Sequence, residues 1–117
     1  HFIAGVLFCA TTLPALAEPA LKSGDRIAFL GDSITEAGNG PSGYLRLVER
    51  GLAANGIAIT VIPAGKSGDK SDQMLARMDA QVLDKKPDWL VINCGVNDVW
   101  HKAPWGLEGY RKHMTQM

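Results

Sequence analysis

Three short apolar runs, each followed by a segment with helical periodicity, constrain the fold of this chain more than any other feature. The runs span residues 26–30, 57–62 and 89–94. They are almost entirely apolar, as expected of strands that helices cover on both faces. The helical segments span residues 44–55, 71–83 and from about 107 onward. Strands that alternate with helices in this way form right-handed βαβ units around a parallel sheet. The sequence therefore predicts a three-layer α/β/α sandwich of the flavodoxin-like type.

The first seventeen residues have a different character from the rest of the chain. Residues 1–17 contain no Asp, Glu, Lys or Arg and end in Ala15-Leu16-Ala17. An apolar core followed by a small-x-small site is typical of a secretory signal peptide, although the usual basic start is missing. The run is too short to span a bilayer as a helix, so the alternative to a signal peptide is a buried N-terminal strand. We expect a signal peptide at 1–17 and a secreted or periplasmic protein without a stable membrane anchor.

Charge and cysteine content argue against several classes of protein. The 12 basic and 12 acidic side chains give a formal charge of zero, whereas a nucleic-acid-binding face needs a basic excess. Cleavage after Ala17 leaves one cysteine, Cys94, which forms no intramolecular disulfide and is expected in the core. Paired cysteines and an HExxH motif are both absent from the sequence, so we expect neither a metal nor another cofactor. Nothing in the sequence indicates an oligomeric state.

Residues capable of chemistry follow each predicted strand. In a parallel sheet the carboxyl ends of the strands meet at one edge, where ligands bind. One loop contributes a serine at a strand-to-helix turn, the second a glycine-rich segment before a helix, and the third an amide side chain. A nucleophilic hydroxyl with donors aimed at a developing oxyanion is the equipment of acyl transfer.

The three loops contain Gly-Asp-Ser-Ile-Thr-Glu at 31–36, Gly68, and Gly-Val-Asn-Asp at 95–98. These residues resemble, in order, the first three sequence blocks of the SGNH (GDSL-type) esterase and lipase family. The resemblance covers about residues 24–117. It implies that Ser33 is the nucleophile, and that the backbone N–H groups of Ser33 and Gly68 form an oxyanion hole with the Asn97 amide. It also implies that residues 18–117 are the N-terminal portion of a single such domain.

Physical chemistry supports these residue types at these positions. Glycine at 68 lets the backbone approach a substrate without an intervening side chain. Asparagine at 97 donates through its NH2 group without a net charge that substrate binding would have to desolvate. We interpret Asp32 and Asp98, which flank the active groups, as hydrogen-bond acceptors that order the loops.

The general base of the resembled family is the histidine of a fourth block, Asp-x-x-His, near its C-terminus. Asp98 and His101 fit this bare pattern, but Asp98 already belongs to the third block. We therefore expect His101 to line the cleft rather than act as the base, and His113 to lie on a helix surface. The sequence thus predicts that the catalytic Asp and His lie beyond residue 117. On this prediction the chain is truncated after its third strand–helix unit, leaves apolar edges uncovered, and is inactive by itself.

We expect an exported serine ester hydrolase that acts on a small-molecule or carbohydrate ester through an acyl-enzyme. Two alternatives remain. One is polysaccharide O-acetyl transfer or deacetylation at the same site. The other is a non-catalytic exported α/β binding module, such as a receiver-like domain that uses Asp32. Sugars stack on aromatic rings such as those of Trp100, Trp105 and Tyr110, although aromatic residues after a strand are more often packing residues.

Overall fold

Three parallel strands form the centre of the described part of the chain, and the first of these three lies in the middle. The computed structural model describes residues 20–117. The strands are β1 (Arg26–Gly31), β2 (Thr60–Gly65) and β3 (Trp89–Asn93). The helices are α1 (Ser33–Gly38), α2 (Tyr44–Ala54), α3 (Ser71–Gln81), α4 (Val96–Trp100) and α5 (Gly106–Gln116), with a 3₁₀ turn at Leu83–Lys85. The strand order is β2-β1-β3 and both pairings are parallel, which confirms the predicted α/β fold.

Helices cover both faces of the sheet because successive side chains of a strand point to opposite sides. On one face Leu30 packs in a cluster with Met74 of α3. On the other face Ile27 and Phe29 pack with Leu45 of α2. Each fully buried side chain of this size contributes about 1.5–3 kcal/mol to folding. The connection through α2 runs outward from β1 to β2, and the connection through α3 runs back across β1 to β3. Because these directions are opposite, crossovers of one hand place the two helices on opposite faces.

The second strand begins three residues later than the sequence predicts. The prediction spans residues 57–62, whereas β2 spans Thr60–Gly65. The N–H of Ile57 closes the end of α2 instead, and Thr60 is the first residue that pairs with β1. Pro63 lies inside the strand, where it is tolerated because β2 is at the edge of the sheet and needs no donor on its outer side.

The three longer helices match their predicted bounds to within two residues, but α1 and α4 occupy segments predicted as loops. Asp32 initiates α1 by accepting the N–H of Ile34. Gly95, just before α4, has a φ of +122°, which side chains other than glycine rarely adopt. A Cβ on Gly65 would lie 2.2 Å from the backbone nitrogen of Glu36. Glycine at 65 thus lets α1 pack directly on β2.

The β3 side of the sheet is open in the described part of the chain. Within residues 20–117, β3 pairs only with β1, so its outer edge is unpaired. Trp89 and Val91 lie on the face that α2 covers elsewhere and are 41% and 42% exposed. These are the uncovered apolar positions that the sequence predicts. No helix in the same residues is long and apolar enough to cross a membrane. The predicted signal peptide, residues 1–17, lies outside the described residues.

Candidate active site

The three strands end side by side, so the loops after them start from one edge of the sheet. Gly31 of β1 is in register with Gly65 of β2 and with Asn93 of β3. The N–H of Lys66 then donates to the carbonyl of Gly31 over 3.0 Å, which holds the start of the second loop against the end of the central strand.

Ser33 is the first residue of α1 and is exposed at the strand-to-helix turn. Asp32, directly before it, is completely buried and accepts the N–H of Ile34 over 2.9 Å. The N–H of Glu36 donates to the Asp32 carbonyl over 2.9 Å. These bonds hold the backbone on both sides of Ser33 and leave Ser33 itself accessible.

Gly68 lies on the second loop with a φ of +82° and is exposed. A Cβ added there would meet nothing within 4 Å, so glycine is needed for the backbone conformation rather than for space. The neighbouring Ser67 donates its backbone N–H, over 2.9 Å, and its hydroxyl to the Glu36 carboxylate of α1. Both bonds favour the charged carboxylate and lower the pKa of Glu36. The loop beside Gly68 is thereby bonded to the helix that begins at Ser33.

Asn97 of α4 reaches the same loop from the other side. Its Nδ2 donates to the carbonyl oxygen of Asp69 over 3.0 Å. A carbonyl oxygen only accepts, so this bond orients the NH2 group toward the loop, and that group has a second N–H for another acceptor. Residues 66–70 are thus tied to α1 on one side and to α4 on the other. Gly68 therefore lies on a loop held between α1, which begins at Ser33, and α4, which carries Asn97.

Asp98 is buried and accepts hydrogen bonds from two neighbouring side chains and one backbone group. Ser71 donates its backbone N–H over 3.0 Å and its hydroxyl over 2.5 Å, and the Trp105 indole donates over 3.1 Å. Asp98 therefore orders the site as an acceptor and satisfies the first N–H of α3. His101 is exposed just beyond the end of α4, and within residues 20–117 no hydrogen bond joins it to Asp98.

His113 is not a surface residue, contrary to the expectation from the sequence. It is half-buried, its Nδ1 lies 2.9 Å from Oγ of Ser71, and its ring packs edge-on against Trp105. The Ser71 hydroxyl has one proton, and it uses that proton to donate the hydrogen bond to the Asp98 carboxylate, which only accepts. Oγ of Ser71 can then accept a hydrogen bond from Nδ1 of His113 in the tautomer that carries its proton there. This network joins α3, α4 and α5.

Arg77 of α3 lies next to the loops at the strand ends and is not among the residues that the sequence motifs identify. Its guanidinium donates to the Asp69 carboxylate over 2.5 Å, to the Ala64 carbonyl over 2.8 Å and to the Gly31 carbonyl over 2.9 Å. The side chain is only 10% exposed. One signal was present in the sequence, since Arg77 follows the core residue Met74 by three positions and so shares its helical face.

Cys94 follows β3 at the same edge of the sheet but is poorly suited to act as a nucleophile. It is half-buried against the core cluster. Burial raises the pKa of its thiol from 9.0 to about 12, and the negative charges of Asp98 and Asp32 add to the effect. The reactive thiolate is therefore scarce near neutral pH. Residues 20–117 contain no group of three or more His, Cys, Asp or Glu side chains that could hold a metal ion.

An apolar cavity of about 700 Å³ opens between α5 and α4, the helix that carries Asn97. Its walls include Val96, Val99, Trp100, Leu107 and Tyr110. Among the three aromatic residues considered for sugar stacking, Trp105 is bonded to Asp98 and the Tyr110 hydroxyl donates to the Cys94 carbonyl over 3.1 Å. Trp100 is 78% exposed and has the most accessible ring of the three, since Trp105 and Tyr110 are half-buried.

The sequence and the structure both resemble known esterases. The profile of the GDSL-like Lipase/Acylhydrolase family matches residues 29–115. An acetylxylan esterase of Geobacillus stearothermophilus is 34% identical over 95 residues, which cover 70% of this chain and 43% of that protein. Esterase TesA of Pseudomonas aeruginosa is 41% identical over 88 residues, which cover 74% of this chain and 41% of that protein.

Among solved structures, the acetyl xylan esterase AlAXEase superposes with a TM-score of 0.68 at 39% sequence identity. The superposition covers 76% of this chain and 48% of that one. The chain thus spans about two-fifths of the length of the curated relatives it matches and about half of this structural neighbour.

Proposed function

The chain belongs to the GDSL-like lipase/acylhydrolase family, and from this membership we propose that it carries the nucleophile and the oxyanion hole of a serine ester hydrolase. Ser33 attacks the ester carbonyl, while the N–H groups of Ser33 and Gly68 and the Asn97 amide bind the oxyanion. One observation carries the proposal. The bond from Asn97 to Asp69 directs an NH2 group to the loop of Gly68, at the edge where Ser33 is exposed.

The proposed reaction passes through an acyl-enzyme. Oγ of Ser33 forms a bond to the carbonyl carbon while its proton passes to a general base. The resulting oxyanion is held by the three donors, each of which commonly lowers the barrier by about 3 kcal/mol. The carbon–oxygen bond to the alcohol then breaks, and the alcohol leaves with the proton. Water attacks the Ser33 ester in the second half, which releases the acid and restores the serine.

The general base in this proposal is a histidine outside the described residues. His101 is exposed, and no hydrogen bond joins it to Asp98 within residues 20–117. His113 is engaged with Ser71 between helices. The curated relatives are more than twice as long as the segments that match this chain, which leaves ample sequence for an Asp-x-x-His pair. Residues 18–117 are accordingly proposed to be the N-terminal portion of a single catalytic domain.

An acetylated carbohydrate is the substrate class that we favour, which makes polysaccharide deacetylation the most specific form of the proposal. The Geobacillus stearothermophilus relative and AlAXEase are both acetylxylan esterases, and the exposed ring of Trp100 offers a surface on which a sugar can stack. We expect Trp100→Ala to raise KM for acetylated xylo-oligosaccharide about tenfold. KM for p-nitrophenyl acetate should stay unchanged, because that substrate has no sugar. Equal effects on both substrates would contradict a sugar subsite at Trp100.

The nucleophile is tested in the complete gene product by substitution and by covalent labelling. Ser33→Ala should reduce hydrolysis of p-nitrophenyl acetate to the background rate, whereas Ser42→Ala, at an exposed loop serine, should leave it unchanged. A fluorophosphonate should add one phosphonyl group to the peptide that contains Ser33. Retention of more than a few per cent of turnover by Ser33→Ala, or an adduct on another serine, would contradict the proposal.

The alternative of a receiver-like binding module has less support. A receiver needs an aspartate that phosphate can reach, whereas Asp32 is completely buried and initiates α1. An unlabelled Ser33 in a well-folded protein without esterase activity would nevertheless favour a binding module.

Export is a separate part of the proposal and rests on residues 1–17. Their lack of charge and the Ala15-Leu16-Ala17 ending support cleavage after Ala17. Mass spectrometry of the secreted or periplasmic protein should find Glu18 at its N-terminus. An intact segment 1–17 on the mature protein would contradict the signal peptide.

A further inference from the structure

We propose that Arg77 is a positioning residue that keeps the Ser33 turn aligned with the oxyanion donors, a role that rests on the function proposed above. Arg77 contacts no reacting group. Its guanidinium instead bonds to the segments that carry Ser33 and Gly68, and it reaches Asn97 through one intermediate residue.

The guanidinium joins the ends of two strands. One terminal nitrogen donates to the carbonyl of Gly31, two residues before Ser33, over 2.9 Å. The other donates to the carbonyl of Ala64, at the end of β2, over 2.8 Å. Because both acceptors are backbone atoms at the carboxyl ends of the strands, one planar group sets the spacing from which the first two loops depart.

Asp69 transmits this alignment to the third loop. Its carboxylate is held by Nε of Arg77 over 2.5 Å, and its backbone carbonyl accepts the Asn97 amide over 3.0 Å. Gly68 is the residue directly before it. The orientation of Asp69 therefore decides both where the Gly68 backbone lies and which way the Asn97 amide is turned.

The geometry requires arginine rather than any positive charge. The guanidinium also donates to Gln81 over 2.8 Å, so the fork bonds to four partners in fixed directions. Lysine carries a single ammonium group, which cannot span two backbone carbonyls and a carboxylate at once. Burial keeps the fork in place, since the side chains of Arg77 and Asp69 are 10% and 3% exposed.

The test uses Arg77→Lys in the complete gene product, which keeps the charge and removes the fork. Active sites are first counted by exhaustive fluorophosphonate labelling of Ser33, so that kcat is expressed per competent site. We expect kcat per site to fall about 100-fold with KM within threefold, because small displacements of reacting groups have costs of this size. Arg46→Lys is the matched control, since the Arg46 guanidinium also bonds to several partners, Glu49 on α2 and Asn39 at the far end of α1, but to none of the loops at the strand ends.

Asp69→Asn provides a second variant of nearly identical shape, for the case in which Arg77→Lys does not fold. It retains the backbone carbonyl that binds Asn97 but loses the ion pair, and we expect kcat per site to fall about tenfold. The positioning role would be overturned if both variants had a lower Tm or fewer labelled sites but kept the wild-type kcat per labelled site. Wild-type protein that is never labelled at Ser33 would overturn the proposed function itself, which separates the two failures.

Discussion

Nδ1 of His113 lies 2.9 Å from the hydroxyl oxygen of Ser71, so the last described helix is bonded to the first residue of α3. Ser71 in turn donates to Asp98, the neighbour of Asn97. A histidine near the end of the described chain thereby supports α4, the helix that carries the amide proposed for the oxyanion hole. This makes His113 structurally different from His101, which is exposed beyond α4.

Alanine substitution should lower the stability of the protein at His113 but not at His101. His113→Ala removes a hydrogen bond from a half-buried network and should lower the free energy of unfolding by roughly 1–3 kcal/mol. His101→Ala should leave stability unchanged and reduce kcat/KM at most about tenfold, whereas loss of a true base would cost several orders of magnitude. Urea unfolding and ester hydrolysis by the complete gene product provide both measurements. A collapse of activity in His101→Ala alone would identify His101 as the base.

Asn97→Ala should lower kcat by roughly 10²–10³ with little change in KM, because an oxyanion donor acts mainly in the transition state. Steady-state kinetics with p-nitrophenyl acetate measure the effect. Asn55→Ala is a suitable control, since that exposed amide donates to the Gly51 carbonyl at the end of α2. An increase in KM alone would identify Asn97 as a ground-state substrate contact instead.

Glu36 should make the contact between α1 and the Gly68 loop sensitive to acid. The hydrogen bonds from Ser67 lower its pKa, so the charged form stabilises the folded state. That contribution is complete above the ordinary carboxyl pKa of 4.5 and is lost as the pH falls toward the lowered folded-state pKa. Wild-type Tm should therefore exceed that of Glu36→Gln at pH 7, and the difference should vanish in stronger acid. Asp79→Asn, at an exposed carboxylate of α3, is the control, and a difference that stays constant with pH would contradict the role of Glu36.

Cys94 should be nearly inert toward alkylating reagents in the folded protein. A pKa raised from 9.0 to about 12 reduces the thiolate population near pH 8 by about 10³-fold. Iodoacetamide labelling of the Cys9→Ser variant should be slow in buffer and fast in urea. The reference rate for an exposed thiol comes from Ser42→Cys in a background with Cys9→Ser and Cys94→Ser. Comparable rates at both positions would show that the Cys94 thiol is accessible and unperturbed.

Local signals were sufficient to predict the parallel sheet and the order of its loops. A loop that follows a buried parallel strand is located by the topology alone, which is why the loops of Ser33, Gly68 and Asn97 could be placed at one edge without any knowledge of contacts. The selection of these three residues within the loops came from the family resemblance. The same local signals did not predict the register of β2. Ile57 has a strong β propensity, but its N–H completes the end of α2, and pairing with β1 selects Thr60 as the first residue of the strand.

The sequence by itself determined the layers of the fold and the residues presented at the strand ends, because apolar periodicity and strand–helix order are properties of neighbouring residues. Only the tertiary structure decided which polar groups bond to one another. Ser71 is 27 residues from Asp98 and 42 from His113, and Arg77 is 46 residues from Gly31. A hydrogen bond needs its two groups about 3 Å apart and aligned, and periodicity reports which face is buried without reporting which partner lies opposite. The network around Asp98 and the fork of Arg77 therefore exist only once three helices have packed on the sheet.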